Sequence, residues 1–360
     1  MCIRDSIKPR IDLRAAPLIR HLVDTRLAQT SGGMKLRFLL LSILIVALST
    51  AAMSSFAALP QIDQQRFDGI DEVIGKSYQV SIRPEDTLHT VARRFHTGLE
   101  EIRLANPTVD TWLPDVKSQV TIPSQFVLPA LLREKAAEGA EPANTLAVIN
   151  LPELRLYLKR NGVVTTYPIS VGRPGWPTPS MDTRVTQKRV NPSWRPPASI
   201  IEAAKQQGET IAPLYLPGPS NPLGKYAIRL GQTAYLIHGT NKPSGVGLRA
   251  SHGCIRMYPE HVEVVFGRLF EGDRVVVVDE PIKVGWLNGE LMMEVHPALQ
   301  EAGMNDQQLY EQALDLAREA LAEAGVSTSK LDEGDIIKLV TEQTGVPSAV
   351  TRNGIRLPNG

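Results

Sequence analysis

The chain has 360 residues, with 39 Lys and Arg against 38 Asp and Glu, 42% hydrophobic residues and 5% aromatic residues. This composition is ordinary for a globular protein and leaves room for two or three domains. A net charge of +1 with so few aromatic residues gives neither a surface that follows phosphates nor a platform for base stacking. Nucleic acid is therefore excluded as a partner class.

An export signal is predicted near the start of the chain. Lys35 and Arg37 precede an apolar run over residues 38–48, and small residues follow up to Ala57. Basic, apolar and small residues in this order are typical of a secretory signal peptide, which we assign to residues 34–57 with cleavage after Ala57. An uncleaved anchor is the alternative, although the run is shorter than the roughly 20 residues of a membrane span.

Residues 1–33 have scattered charges and no periodic pattern. Because a signal peptide begins at the N-terminus, we interpret them as a misassigned start and expect Met34 to be the true first residue. A cytoplasmic extension on an anchored protein is the alternative.

Two cysteines, Cys2 and Cys254, occur in the sequence, and loss of the leader would leave Cys254 alone. An exposed thiol in an oxidising compartment oxidises or pairs with other thiols unless it has a function. The alternative is a buried, inert cysteine that packs as a small hydrophobic side chain. The residues around Cys254 decide between these interpretations.

Residues 77–123 predict a small unit with the order strand, helix, helix, strand. The strands are expected at residues 78–80 and 120–123, and the helices at residues 87–95 and 99–105, the first capped by Asp86-Thr87. This unit resembles the LysM module in the following features: Tyr78-x-Val80, Asp86-Thr87-Leu88, Val91-Ala92, Phe95, Ala105-Asn106-Pro107 and Ile122-Pro123.

The LysM resemblance implies binding of the N-acetylglucosamine-containing glycan of peptidoglycan, in a groove lined by Asp86, Thr87, Asn106 and Pro107. For each residue alone a structural role is the alternative, since Asp86 and Thr87 can cap a helix and Asn106-Pro107 can form a turn. Glu85 stands where the module commonly has glycine, which leaves the shape of this loop open.

Residues 145–279 predict a mostly β domain, after a charged segment at residues 129–143 that we interpret as a linker or an exposed short helix. Asn161-Gly162 separates two strand-like runs and is a strong signal for a two-residue hairpin, because both positions take positive φ. One helix is predicted just after Cys254, over residues 259–270. The strand-like runs cover residues 146–149, 154–158, 163–169, 226–230, 234–237 and 275–278.

Residues 280–360 are predicted to form a partly helical extension. Apolar residues recur at helical spacing between Leu309 and Leu321, and a second helix is predicted over residues 334–343. We interpret these faces as packing surfaces without chemistry.

The strongest functional signal is a histidine and a cysteine on either side of a loop. Residues 238–240 read His-Gly-Thr, and residues 251–256 read Ser-His-Gly-Cys-Ile-Arg. An imidazole that takes the thiol proton, or pairs with the thiolate, lowers a cysteine pKa that is usually near 8.5. His238 ends a predicted strand, so the loop can bring it back to Cys254. His252 is the rival base, because alternate residues of an extended segment point the same way.

Two other chemistries fit the sequence less well. A serine nucleophile at Ser251 would lack the G-x-S-x-G elbow, and the nearby thiol is the better nucleophile. Zinc needs three or four ligands, and neither C-x-x-C nor H-E-x-x-H spacing is present. We therefore predict no metal and no cofactor.

Both motifs resemble the signature of the YkuD-type L,D-transpeptidase catalytic domain, over residues 145–279. The resemblance implies a β-sandwich in which Cys254 is the nucleophile, His238 accepts and donates the proton, and the carbonyl of Gly239 orients the imidazole. His252 then becomes a neighbouring group on the oxyanion side. Flanking runs that agree with the family lie at residues 171–179, 221–224 and 235–237.

The remaining site residues follow from the same resemblance. Backbone amides at Gly253 and Cys254 would stabilise the oxyanion, and substrate contacts are expected at Ser251, Thr240 and Arg256. The family often has Asn where this chain has Arg256. Its guanidinium could hold a peptide carboxylate bidentately or could pair with an acidic neighbour.

The resemblance implies a periplasmic enzyme that acts on peptidoglycan stem peptides. The Cys254 thiolate attacks the diamino acid carbonyl of a tetrapeptide stem and expels D-alanine, and an amine then attacks the thioester. The acceptor decides the product. With a second stem the product is a cross-link, with an outer-membrane lipoprotein it is a lipoprotein anchored to the wall, and with water the stem peptide is only trimmed. The alternatives are a non-catalytic peptidoglycan-binding scaffold and a cysteine hydrolase of existing cross-links.

Overall fold

The computed structural model describes residues 64–66, 71–133 and 145–352. The predicted leader, residues 34–57, the segment before it and most of the predicted linker lie outside these ranges. Within them, no helix combines the length and the hydrophobicity that a membrane span requires.

The N-terminal described residues form a small module of short strands and helices. Strands β3 and β4 pair antiparallel, and helices α1 and α2 cover them through a core that includes Leu88, Val91 and Ile102. The predicted order of strand, helix, helix and strand is therefore confirmed. The elements are β1 (Gln64–Arg66), β2 (Val73–Gly75), β3 (Tyr78–Ser81), α1 (Leu88–Arg94), α2 (Leu99–Leu104), β4 (Gln119–Ile122), β5 (Gln125–Val127) and α3 (Ala130–Arg133).

A curled sheet forms the body of the next region. Its elements are β6 (Leu146–Asn150), β7 (Arg155–Arg160), β8 (Val163–Pro168), β9 (Val171–Gly172), β10 (Met181–Val190), α4 (Ala198–Gln206), β11 (Tyr226–Leu230), β12 (Leu236–His238), β13 (Arg249–Ser251), β14 (Ile255–Arg256), α5 (Pro259–Arg268) and β15 (Arg274–Val278). Nine of the described strands join in the order β1-β8-β7-β6-β15-β10-β11-β12-β14, and β9 pairs with β13. The mostly β prediction is confirmed, with one long sheet and a separate pair in place of two facing sheets.

The sequence signals for the hairpins are confirmed by the backbone. Asn161 and Gly162 have φ of 51° and 73° between β7 and β8, as a two-residue turn of this type requires. The predicted helix after Cys254 is α5. Strand β10 was not predicted, because most of its residues are polar and half-buried or exposed.

The position of the hydrophobic core determines which face of the sheet is available for a functional site. Ile228, Ile237 and Ile255 are paired across β11, β12 and β14 and are fully buried. They pack in one cluster with Val262 and Val265 of α5. Because successive side chains of a strand point to opposite faces, the residues on either side of these isoleucines point away from the helix.

The C-terminal region is a mixed α/β unit, which corrects the prediction of a helical extension. Both predicted helices are present, but a three-stranded sheet accompanies them. Asn288 and Gly289, with φ of 51° and 81°, form the hairpin that was missed. The elements are β16 (Ile282–Leu287), β17 (Glu290–Val295), α6 (Asp306–Glu323), α7 (Glu333–Glu342) and β18 (Ser348–Ala349).

The turn between α1 and α2 packs tightly on the loop that leads to Cys254. A Cβ built on Gly247 would lie 2.3 Å from the Cα of Gly98, so only glycine fits at this contact. The amide of Glu100 donates to the carbonyl of Gly247 at 3.1 Å, and Leu248 packs against the core of the module. The module therefore supports one end of the loop that leads to Cys254.

Buried polar contacts join the same two regions. Arg155 of β7 lies 2.6 Å from the carboxylate of Glu101, and both side chains are buried. The hydroxyl of Tyr258 donates to the carbonyl of Thr97 at 3.3 Å. Removing the module would leave Arg155 as a buried charge without its partner, so the module is part of the folded body.

Candidate active site

Cys254 lies at the end of a row of side chains that crosses four strands. Gln187 of β10 is paired with Arg229 of β11, and Arg229 is paired with Leu236 of β12. The parallel register of β14 beside β12 then places Cys254 next to Leu236. Paired residues point to the same face, so this row lies opposite the isoleucine core.

His238 belongs to the neighbouring row on the same face. Arg189 is paired with Ala227, Ala227 with His238, and His238 with Arg256. His238 and Cys254 are therefore diagonal neighbours on adjacent strands. Such positions are about 7–8 Å apart at the backbone, a distance that an imidazole ring can bridge.

The imidazole of His238 is buried and oriented by the backbone. Its Nδ1 lies 2.6 Å from the carbonyl oxygen of Gly239. Because a carbonyl oxygen only accepts, Nδ1 carries the proton and Nε2 is the basic atom. Burial, together with the guanidinium of Arg256, lowers the pKa of His238 to about 3, against the opposing effect of the Gly239 and Leu223 backbone. The ring is neutral near pH 7.

The thiol of Cys254 is half-buried, and its Sγ lies 3.9 Å from the carbonyl oxygen of Ala234. Burial raises the pKa of Cys254, although a backbone hydrogen bond from Leu236 and the guanidiniums of Arg256 and Arg229 act in the opposite direction. The sequence suggested a thiol pKa below its usual value. The structure corrects this, because burial outweighs the cations, and the resting pair is a thiol and a neutral imidazole.

Arg256 affects the electrostatics of both His238 and Cys254. Its guanidinium lowers the pKa of His238 and of Cys254. Among the described residues its side chain donates to the carbonyl of Ala250, at 3.4 Å, and not to a carboxylate. Its backbone exchanges two hydrogen bonds with Ser170, at 2.8 and 2.9 Å, which hold the short strand β14 in place.

Ser251 shapes the turn before the nucleophile. Its hydroxyl donates to the carbonyl of Cys254 at 2.6 Å and accepts from the amide of Gly253 at 3.0 Å, and its side chain is fully buried. Burial removes Ser251 both as a nucleophile and as the predicted substrate contact. The amide of Gly253, predicted to serve the oxyanion, is already used. Gly253 has φ of 100°, where a Cβ would lie 2.8 Å from the ring of Tyr235.

His252 is held away from the role of base. Its Nε2 lies 3.0 Å from a guanidinium nitrogen of Arg173, and its ring meets the ring of Trp176 edge to face with centroids 4.9 Å apart. Burial lowers the pKa of His252, and Arg173 and Arg256 lower it further. Nε2 of His252 therefore already accepts a hydrogen bond. In His238 the neighbouring backbone carbonyl is bonded to the other ring nitrogen, Nδ1, and not to Nε2.

Thr240, another predicted substrate contact, is buried. Its Oγ1 accepts a hydrogen bond from the amide of Lys242 at 2.9 Å. This bond closes the turn that follows β12 and so keeps the Gly239 carbonyl beside His238.

The predicted glycan residues lie on two segments of the module, the loop before α1 and the turn after α2. Asp86 accepts from both terminal nitrogens of Arg94, at 2.8 and 2.9 Å, and from the amide of Arg83 at 2.9 Å. Glu85 before it has φ of 72°, a left-handed conformation that favours glycine. This explains why glycine is common at that position.

Thr87 and Asn106 also make internal hydrogen bonds. Thr87 is the N-cap of α1 and accepts from the amide of Thr90 at 3.1 Å. The buried amide of Asn106 bonds to the backbone of Ile102 and Thr121 at 2.7–2.8 Å. Pro107 is exposed.

One described group of side chains offers possible metal ligands, away from Cys254. Atoms of Glu153, Glu294 and His296 lie within 4.8 Å of one another and are buried. The ammonium of Lys283 lies 2.9 Å from each carboxylate, where a cation would sit. This cluster is therefore a buried ion network that joins the C-terminal unit to the sheet.

The sequence did not reveal three residues around the site. Arg173 holds His252, and Arg229 acts on the Cys254 thiol. Thr178 Oγ1 donates to the carbonyl of Gly253 at 2.8 Å. Alternation along β11 places Arg229 and Ala227 on one face of the strand, but which face also carries Cys254 depends on strand pairing that the sequence does not show.

Comparison with known proteins gives a consistent result. Residues 144–277 match YkuD, the L,D-transpeptidase catalytic domain family. The chain is 35% identical over 276 residues to a probable L,D-transpeptidase YcfS of Escherichia coli, covering 75% of this chain and 82% of that protein. A probable L,D-transpeptidase ErfK/SrfK of the same organism is 36% identical over 234 residues, 63% of this chain and 71% of that one. A solved L,D-transpeptidase from Mycobacterium smegmatis has 22% identity, covers 38% of this chain and 59% of its own, and has a TM-score of 0.29.

Proposed function

This chain belongs to the L,D-transpeptidase family, and from that premise we propose that Cys254 and His238 carry out acyl transfer on peptidoglycan stem peptides. The observation that carries the proposal is the diagonal placement of both side chains on one sheet face, with the Gly239 carbonyl 2.6 Å from Nδ1 of the imidazole. This leaves Nε2 as the atom that exchanges protons.

The first half-reaction forms a thioester. Nε2 of His238 takes the thiol proton as Sγ attacks the carbonyl carbon of the diamino acid in a tetrapeptide stem. The tetrahedral intermediate collapses, the bond to the terminal D-alanine breaks, and His238 gives its proton to the leaving amine. Because the Gly253 amide is engaged by Ser251, we assign the oxyanion to the amide of Cys254.

The second half-reaction transfers the acyl group. An amine attacks the thioester, His238 accepts its proton, and the sulfur leaves and is reprotonated. The proposed acceptors are the side-chain amine of a second stem, which forms a cross-link, or an amine of an outer-membrane lipoprotein. Water as acceptor would make the enzyme a hydrolase.

Mass spectrometry of products from a defined disaccharide-tetrapeptide tests this proposal. We expect loss of D-alanine and a dimer mass with wild-type protein, and neither with Cys254→Ala. Monomeric trimmed products alone would indicate the hydrolase. If Cys254→Ala still released D-alanine at the wild-type rate, the nucleophile would be another residue.

We also propose that the N-terminal module, a LysM-like unit, binds peptidoglycan glycan in the periplasm. The exposure of Pro107, on the turn after α2, supports this choice of surface. The test uses the full chain, because the module buries the partner of Arg155. Pro107→Glu should lower retention on insoluble peptidoglycan, whereas Ile337→Glu, at an exposed position of α7, should not. Equal retention of both variants would contradict glycan binding at this loop.

A further inference from the structure

A cleft lies beside Cys254 on the same face of the sheet. Its floor is formed by Leu236 and Ala227, and its walls include Arg189, Arg195 and Arg229. Leu236 is the neighbour of Cys254 in the first row of side chains, and Ala227 is the neighbour of His238 in the second. The cleft is therefore continuous with the catalytic pair.

The segment between β10 and β11 covers this cleft. Trp194 and Tyr215 exchange two backbone hydrogen bonds at 2.8 Å, and their rings lie 5.5 Å apart. The buried amide of Asn221 donates to the carbonyl of Pro192 at 2.7 Å and accepts from the amide of Leu223 at 3.0 Å. These bonds tie the two ends of the segment together, so the wall that carries Trp194 and Arg195 is held over the sheet.

The charge of the cleft is one-sided. Arg189 and Arg195 are exposed, and within the described residues neither guanidinium forms a salt bridge with a carboxylate. Among the described residues, no acidic side chain lines the cleft. The whole chain has nearly equal numbers of positive and negative residues, so three arginines together without an acid are a local feature.

We propose that this cleft binds the carboxylates of the acyl-donor peptide, with Arg229 nearest the thiol and with Arg189 and Arg195 further along the walls. Guanidinium groups bind carboxylates through two parallel hydrogen bonds, and cations gathered in a cleft attract anionic peptides. A tetrapeptide stem has one carboxylate on the residue that leaves and others on the residues before it. This inference rests on the proposed function for the choice of peptide, but the chemistry of the cleft requires only a peptide with several carboxylates.

The donor, and not the acceptor, is assigned to the cleft because Arg229 and Cys254 lie in one row. Only Leu236 stands between them, and Arg229 acts on the pKa of the thiol. The carboxylate of the leaving residue is one residue from the carbonyl that Sγ attacks. Successive Cα atoms are about 3.8 Å apart, so that carboxylate must lie beside the thiol.

Binding to the inactive Cys254→Ala protein tests the cleft without turnover. Calorimetry compares a synthetic tetrapeptide stem with analogues in which single carboxylates are amides. Adding Arg189→Gln or Arg195→Gln should weaken binding of the acid form roughly tenfold and leave at least one amide analogue unchanged. Arg189→Lys should recover part of the loss. Arg184→Gln, on the same strand but outside the cleft, is the matched control and should change nothing.

Turnover then separates this proposal from the proposed function. In the active protein, the same variants should lower kcat/KM for thioester formation roughly tenfold and leave transfer from a preformed thioester unchanged. Equal weakening of acid and amide forms, or no weakening, would overturn the cleft assignment. Slower transfer with normal thioester formation would give the cleft to the acceptor, which also overturns it. If carboxylate-dependent binding is seen but no D-alanine is released, the proposed function fails and the cleft stands.

Discussion

Replacing His238 should distinguish general-base catalysis from a preformed thiolate–imidazolium pair. The variant is His238→Gln, which keeps a polar side chain but cannot accept a proton from the thiol. The matched control is His252→Gln, because His252 is only two residues from Cys254 in sequence but accepts a hydrogen bond from Arg173.

The free energy of proton transfer from Cys254 to His238 follows from the burial of both side chains. The pKa of His238 is about 3, and burial raises the pKa of Cys254 above the usual thiol value. With a usual thiol value of about 8.5, moving the proton from sulfur to imidazole costs roughly 7 kcal/mol. Attraction between the two charges offsets about 4 kcal/mol at roughly 4 Å and an effective dielectric constant of about 20. The neutral pair is favoured by roughly 3 kcal/mol, so on the order of one molecule in a hundred holds the ion pair.

The expected result is a large loss of rate that depends on pH. His238→Gln should slow acylation of Cys254 by a carbapenem about 10²- to 10⁴-fold at neutral pH. Its rate should then rise about tenfold per pH unit towards the thiol pKa, because only the thiolate reacts without a base. The wild-type rate should stay level from roughly pH 4 to pH 8, since the imidazole is neutral across this range.

The assay is the mass shift of the intact protein against time at several pH values, together with the ultraviolet absorbance of the thiolate. The thiol pKa should remain high in wild type and change little in His238→Gln. A wild-type thiolate that forms below neutral pH and disappears in His238→Gln would refute the neutral pair. Equal slowing at all pH values would remove His238 as the base, and stronger pH-dependent slowing by His252→Gln would transfer that role.

Three further substitutions test the supports of the site. Gly247→Ala should destabilise the protein by about 1–3 kcal/mol in urea unfolding and should slow acylation of Cys254. The reason is that a Cβ would lie 2.3 Å from Gly98 Cα and that φ of Gly247 is 81°. Unchanged stability would contradict the tight contact. Lys283→Met removes the ammonium that lies 2.9 Å from two buried carboxylates and should cost about 3–5 kcal/mol, whereas Lys225→Met in an exposed pair should leave the urea midpoint unchanged; equal midpoints would contradict the buried network. Glu85→Gly should raise stability by roughly 1 kcal/mol, because φ is 72° there, and a lower midpoint would show that the side chain outweighs the strain.

Much of the secondary structure could be predicted from the sequence because its causes are local. Asn161-Gly162 specifies a hairpin wherever it is flanked by strand-forming residues, and Asn288-Gly289 carried the same signal unnoticed. The strand β10 was missed because polar residues along it give no clean alternation, and its place in the sheet depends on pairing with distant strands. Pairing between strands that are far apart in the sequence cannot be detected in the local composition.

The sequence by itself determined the family and the residues proposed to carry the chemistry, because the His-Gly-Thr and Ser-His-Gly-Cys runs are read without knowing the fold. Only the tertiary structure decided what surrounds them. Strand register brought Arg229 and Arg189 onto the face of Cys254, and the Gly98 contact tied the module to the loop at Gly247. Burial made the imidazole and the thiol neutral, because the cost of desolvating a charge depends on what packs around it, and that packing comes from residues throughout the chain.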